Sequence, residues 1–152
     1  MQTPLSSLMD SIARKFTLNK QQQYAYHIIS LSVLNRDVFH LSEWKHKPPL
    51  RMLLTGPGGT GKSHVVHAVR ELMTHFGLAH TIRFMAPTGS AAKLINGTTV
   101  HSGLDSTEDH SVLVSIKNQQ QLCDEWKDVL LLLLDEVSLV DQALIAEIDA
   151  AL

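Results

Sequence analysis

Eight consecutive residues, Gly56-Pro57-Gly58-Gly59-Thr60-Gly61-Lys62-Ser63, fit the pattern G-x-x-x-x-G-K-[ST]. In such a loop the glycines let successive backbone N–H groups turn toward a phosphate, and the following helix adds the positive end of its dipole. Lys62 then reaches the β- and γ-phosphates, and the Ser63 hydroxyl holds Mg²⁺. A second chemical pair, Asp135-Glu136, follows the apolar run Leu130 to Leu134. Carboxylates at the end of a buried strand are costly without a cation, so the pair reads as a Walker B element. Asp135 orients the Mg²⁺ shell, and Glu136 polarises the attacking water as general base. Asp124-Glu125 has no apolar strand before it and reads as a solvated face.

These residues need elements to position them. Asn19 caps a helix expected from Lys20 to Leu34, and Leu50 to Thr55 reads as a short buried strand running into the glycine-rich loop. Val65, Val66, Val69, Leu72, Met73 and Phe76 share one helix face, and Gly77 stands where a left-handed cap would end that helix. Thr81 to Ala86 is a second strand stopped by Pro87, and Ser90 to Ile95 a short helix closed by Asn96-Gly97. The segment with Asp105, Glu108 and Asp109 reads as loop, and Val112 to Trp126 as a strand turning into a helix. Val129 to Leu134 has the apolar character of a parallel strand covered on both faces. Leu144, Ile145, Ile148 and Leu152 mark a final amphipathic helix. The first 17 residues are polar and weakly patterned. Alternating strands and helices imply an α/β layer whose ligand site lies beyond the carboxyl ends of parallel strands.

Composition narrows the class. The chain has 152 residues, of which 44% are hydrophobic and 18% charged, with a net charge of -2, which excludes disorder and fibrous repeats. Its longest apolar run, Val129 to Leu134, is far shorter than the roughly 20 residues a bilayer span requires, so neither a membrane span nor a secretory leader is expected. The lone cysteine, Cys123, can form no internal disulfide and supplies too few thiolates for zinc. His64 and His67 stand three apart, with His101 and Cys123 distant, and two ligands do not make a zinc site. Residues 1–83 carry ten basic and four acidic side chains, whereas 84–152 carry three and eleven. No arginine follows Arg83, so charge alone points to no long nucleic-acid groove.

Five segments in order and spacing carry a resemblance: Leu18-Asn19-Lys20-Gln21-Gln22, the loop GPGGTGKS, Ala86 to Ala92, Gly97 to Ser102, and LLLLDEVSLVD. Together they resemble the first half of the motor of petite-integration-frequency (PIF) type DNA helicases, superfamily-one enzymes moving 5′ to 3′. The resemblance implies an incomplete RecA-like P-loop NTPase domain over 18–152, a partial three-layer α/β fold with a parallel sheet, preceded by the polar segment 1–17. It implies ATP and Mg²⁺ as cofactors, with Gly56 to Ser63, Asp135 and Glu136 serving them. Gln22 matches the adenine-reading glutamine of the family. It also stands three residues after Asn19, which is capping-box spacing, and both readings are open. Thr88, Gly89 and Ser90 match a segment that lies against single-stranded DNA in the family, able to contact phosphates through N–H and hydroxyl groups; a plain strand-to-helix turn is the other reading. Thr99 and His101 match a threonine and histidine of the family, while Gly103-Leu104 replaces an aromatic often found there.

The resemblance also sets expectations for what the sequence lacks: a glutamine-containing third motif, a second RecA-like lobe and the γ-phosphate arginines. An arginine finger contributes about 10³- to 10⁵-fold in rate, so hydrolysis by these residues alone should be very slow. In the family the third-motif strand lies between the P-loop and Walker B strands. A sheet truncated before it would show unpaired backbone groups, and a marginally stable fragment is expected. Single-stranded DNA is the partner implied, through the complete motor, with roles in repair, recombination and telomere maintenance in the nucleus or mitochondrion. Two other classes stay open: a P-loop enzyme such as a nucleotide kinase, disfavoured by the lack of lid arginines, and an inactive nucleotide-binding remnant acting as an interaction module.

Overall fold

Asn19 opens the first long helix by reciprocal hydrogen bonds. In the computed structural model, which describes residues 4–57, 59–103, 120 and 123–151, its side chain accepts from the Gln22 N–H, and the Gln22 side chain accepts from the Asn19 N–H. This capping box satisfies two donors that a helix start otherwise leaves orphaned. The helix it opens, α2 (Lys20–Val33), continues through a wider π-type turn at Leu34–Val38.

The chain divides into two compact units, Met1–Ala79 and His80–Leu152. The first is helical: α1 (Leu5–Lys15), α2, a short α3 (Ser42–Lys45) and α4 (Lys62–His75). Its core joins Met9, Ile12 and Ala13 of α1 with Ala25, Tyr26, Ile29 and Val33 of α2 and Val65, Ala68, Val69, Leu72 and Met73 of α4. Each set recurs at three- and four-residue spacing, so one stripe of each helix is apolar and buried. The weakly patterned N-terminal segment is therefore corrected: Met9, Ile12 and Ala13 bury one stripe of α1, with Leu5 and Leu8 partly buried. Gly77 ends α4 as expected, at φ +72°, with its N–H bonded to the Thr74 carbonyl and the Leu78 N–H to that of Met73.

A second correction concerns residues 50–55, which form no strand. Leu50 and Met52 are 39% exposed and Leu53 66%. A mostly apolar segment becomes a strand only where a neighbour supplies N–H and C=O partners, and the sheet among the described residues does not include this one.

The second unit holds that sheet, three parallel strands in the order β2-β1-β3: β1 (Ile82–Ala86), β2 (Thr98–Thr99) and β3 (Leu131–Leu134). Met85 and Ala86 pair with Thr98 and Thr99 on one side, and Ile82 to Met85 pair with Leu131 to Leu134 on the other. Helices α5 (Gly89–Leu94) and α6 (Val100–Gly103) follow β1 and β2, and α7 (Gln142–Ala151) follows β3. Met85, Val100 and Ile148 form one buried cluster, with Trp126, Leu132, Leu134 and Val140 against it. Ala86, Ala91 and Ala92 form another, where small side chains let α5 approach the sheet.

β3 lies at the edge of the sheet among the described residues, and all four of its leucines are only partly buried, so the expected full cover of both faces is not met. Ile145, read as part of an apolar face, is 47% exposed, whereas Ile148 is buried. The expected loop around Asp105 to Asp109 and most of the ambiguous segment 112–126 lie outside the described residues. No described helix is long and apolar enough to cross a membrane.

Candidate nucleotide and nucleic-acid sites

The glycine-rich loop closes on its own carbonyls. Thr60 donates both its N–H (3.4 Å) and its hydroxyl (2.7 Å) to the Pro57 carbonyl, making a tight turn. The Lys62 ammonium bends back over this turn and donates to the carbonyls of Gly56 at 2.7 Å and Pro57 at 3.0 Å. Gly61 stands at the start of α4 with φ +80°, a left-handed conformation that glycine adopts without the steric cost a Cβ imposes. Gly56, Pro57, Gly59, Thr60 and Ser63 are exposed and Lys62 partly buried, while Gly58 lies outside the described residues.

α2 and α5 begin with side-chain caps from Asn19 and Thr88. α4 begins with none. Its first-turn amides thus have no side-chain acceptor at the end where the helix dipole is positive, which suits a phosphate. The loop, its lysine and the uncapped helix start fit a polyphosphate. Ser63, next to Lys62 and exposed, has a hydroxyl of the kind that serves Mg²⁺.

Gln22 reaches this loop from α2. Its side-chain amide donates to the Thr60 carbonyl at 2.9 Å and to the Gly61 carbonyl at 3.3 Å, while its oxygen accepts from the Asn19 N–H at 2.8 Å. The capping-box spacing was visible in the sequence. The link to residues 38 and 39 positions further on was not, since no local pattern encodes it.

In the second unit the parallel register brings three chain segments to one end of the sheet. Leu134 pairs with Met85, and Ala86 with Thr99, so Asp135 falls level with Ala86 and Thr99. At about 4.8 Å per strand, the Asp135 and Thr99 backbones stand roughly 10 Å apart. The Asp135 N–H bonds to the Met85 carbonyl at 2.9 Å, extending the ladder by one residue, and its carboxylate accepts from the Glu136 N–H at 2.9 Å. Glu136 has φ +51°, a region that residues bearing a Cβ enter seldom and at a cost of about 1–3 kcal/mol. The Asp135 carboxylate holds that turn, and both acidic side chains remain exposed.

Thr88 and Thr99 have local employment. Thr88 Oγ1 accepts from the Ala91 N–H at 3.3 Å and lies 3.2 Å from the Ser90 hydroxyl. Thr99 Oγ1 accepts from the Ser102 N–H at 3.2 Å and donates to the Ser102 hydroxyl at 2.9 Å. Each threonine thus caps the helix that follows its strand, which also fixes the exposed backbone at Gly89 and Ser90. The side chain of His101 lies outside the described set. Among the described residues no group of three His, Cys, Asp or Glu side chains is placed to hold a metal.

The sequence matches over residues 17–152 a family described as PIF1-like helicase. It is 31% identical over 108 residues to the ATP-dependent DNA helicase RRM3 of Saccharomyces cerevisiae, covering 68% of this chain and 15% of that protein. It is 26% identical over 125 residues to the ATP-dependent DNA helicase PIF1 of Saccharomyces cerevisiae, covering 80% and 14%. With the PIF1 helicase of Candida albicans the identity is 27% over 139 residues, covering 87% and 15%. The chain therefore spans only about a seventh of the length of these relatives. No solved structure matches it significantly. The chain belongs to the PIF1-like helicase family, whose RecA-like P-loop fold its α/β elements and parallel strands represent in part.

Proposed function

We propose that the chain binds Mg·ATP through Gly56 to Ser63 and serves as the nucleotide-binding part of an ATP-dependent DNA helicase moving 5′ to 3′ along single-stranded DNA. The observation that carries this reading is the uncapped start of α4, with the Lys62 ammonium folded over the loop that precedes it. Family membership and the names of the relatives support it.

Each role rests on its own motif. The backbone N–H groups of the loop hold phosphate oxygens, and Lys62 exchanges carbonyl acceptors for anionic ones, which make stronger bonds. Ser63 and Asp135 would hold Mg²⁺, which when bound neutralises charge on the phosphate oxygens. Glu136 orients a water and accepts its proton. Thr88, Gly89, Ser90, Thr99 and His101 serve the DNA backbone, the described ones from one end of the second unit's sheet. Work in DNA repair, recombination and telomere maintenance, in nucleus or mitochondrion, is part of this proposal and rests on the family resemblance alone.

A titration of the chain with a fluorescent ATP analogue tests the binding step. Saturable, Mg²⁺-dependent binding is expected, displaced by ATP and far less by AMP, which lacks the β- and γ-phosphates. Displacement by AMP as effective as by ATP, or binding indifferent to Mg²⁺, would overturn the reading.

A further inference from the structure

α2 is apolar on two sides. Ala25, Tyr26, Ile29 and Val33 are buried in the core of the first unit, while Tyr24, Ile28 and Leu31, at four- and three-residue spacing, form a second stripe outside it. Ile28 and Leu31 are half-buried, and Tyr24 is 72% exposed. A helix apolar over most of its circumference is normally covered on both sides, and the described residues cover this second stripe only in part. Trp44 of α3, with Lys47 and Leu50 beyond it, stands across from the stripe and closes a cleft of about 520 Å³, within the roughly 300–1,000 Å³ typical of binding pockets. Tyr24 lies two residues, about 200°, around the helix from Gln22, so the cleft opens on the side of α2 away from the glycine-rich loop that Gln22 contacts.

Charge selects among occupants. None of the residues lining the cleft is acidic, and Glu43 of α3 stands outside the lining. Residues 45–51 carry Lys45, Lys47 and Arg51, all exposed, and no carboxylate. The Lys47 ammonium lies over the Trp44 ring, 3.9 Å from its centroid, a cation–π contact that holds the charge at the edge of the cleft. The same contact covers one face of the indole, the kind of surface on which a nucleic-acid base would stack. From Tyr24 to Leu31 the apolar wall runs about two turns, or about 10 Å. A helix with apolar side chains at i, i+4 and i+7 matches that length and spacing, and carboxylates beside them would complement the lysines.

We infer that the cleft between α2 and residues 44–50 is a docking site for an acidic amphipathic helix of a partner protein. The partner's apolar side chains fill the space beside Ile28 and Leu31 and cover Tyr24, and its carboxylates meet Lys45 and Lys47. The site stands apart from the proposed nucleotide site and does not depend on it.

The test uses fluorescein-labelled synthetic helical peptides, followed by anisotropy. One carries leucines at i, i+4 and i+7 flanked by glutamates; the others replace the glutamates by glutamines, the glutamates by lysines, or the leucines by alanines. The glutamate peptide should bind saturably. The glutamine version should be weaker by about two- to fivefold, the loss of exposed ion pairs, and the alanine version by more than about tenfold, the loss of buried apolar surface. Ile28→Arg, which sets a charge in the cleft, should abolish binding with the far-UV circular dichroism unchanged. Lys47→Glu, at an exposed position, should invert the preference, so that the lysine peptide binds tighter than the glutamate one; this variant decides the case even if Ile28→Arg unfolds. Equal binding of the glutamate and lysine peptides to the unmutated chain would overturn the inference, as would no saturation by about 1 mM peptide. Displacement of the peptide by oligo-dT, with oligo-dT binding lost in Ile28→Arg, would give the cleft to nucleic acid. Self-association of the chain that Ile28→Arg removes would give it to a second copy. Either result overturns the inference.

Discussion

Lys62→Ala is expected to weaken Mg·ATP binding by about 100-fold while leaving the fold of the first unit in place. The ammonium already lies over the loop, 2.7 Å from the Gly56 carbonyl and 3.0 Å from that of Pro57, so it reaches a bound phosphate with little rearrangement. A hydrogen bond to a charged group contributes about 1.5–3 kcal/mol, and two at the lower figure give about 3 kcal/mol, or roughly 100-fold in affinity. The fold loses little, because Lys62 lies at the start of α4 and the buried stripe of that helix begins at Val65. Competition binding and a thermal melt on the same variant separate the two effects. An affinity equal to that of the unmutated chain would contradict the assignment of the loop.

Leu72→Ala is expected to have the largest effect on stability, about 2–5 kcal/mol. Leu72 has no exposed surface and belongs to the stripe with Val65, Ala68, Val69 and Met73 that joins α4 to the core of the first unit. Truncation removes buried apolar surface and leaves a cavity that rigid neighbouring helices fill only in part. Against a total of about 5–15 kcal/mol for a domain, the urea midpoint of this unit should fall sharply. Affinity per folded molecule should hold, because Leu72 stands ten residues, about 15 Å, along the helix from Lys62. A loss below about 1 kcal/mol would mean that α4 is not anchored as described.

Local signals in the sequence hold where one short segment contains both cause and effect. The Asn19–Gln22 spacing gives the capping box, Gly77 takes the left-handed position after α4, and Pro87 follows the last residue of β1. Asn96-Gly97 likewise closes the next helix, with Asn96 taking the positive φ. Features that depend on distant partners were hidden. The apolar character of residues 50–55 resembles that of 131–134, yet only the latter has β1 beside it. β2, only two residues long, exists through its pairing with Met85 and Ala86. In the candidate sites, residue types single out the glycine-rich loop and the Asp135-Glu136 pair, because glycines, a lysine and carboxylates at fixed spacing have few other uses. The employment of Thr88 and Thr99 as caps, and of Gln22 as a link to the loop, required coordinates, since hydroxyls and amides serve both backbone and ligand.

In the proposed site, triphosphate oxygens are held by the amides around the start of α4. Titrating the ¹⁵N-labelled chain with a Mg²⁺-bound nonhydrolysable ATP analogue tests it most directly. The amide resonances of Gly59, Gly61, Lys62 and Ser63 are expected to move together and saturate with one dissociation constant. Saturation without movement of those four resonances, with the largest shifts falling elsewhere in the chain, would contradict it.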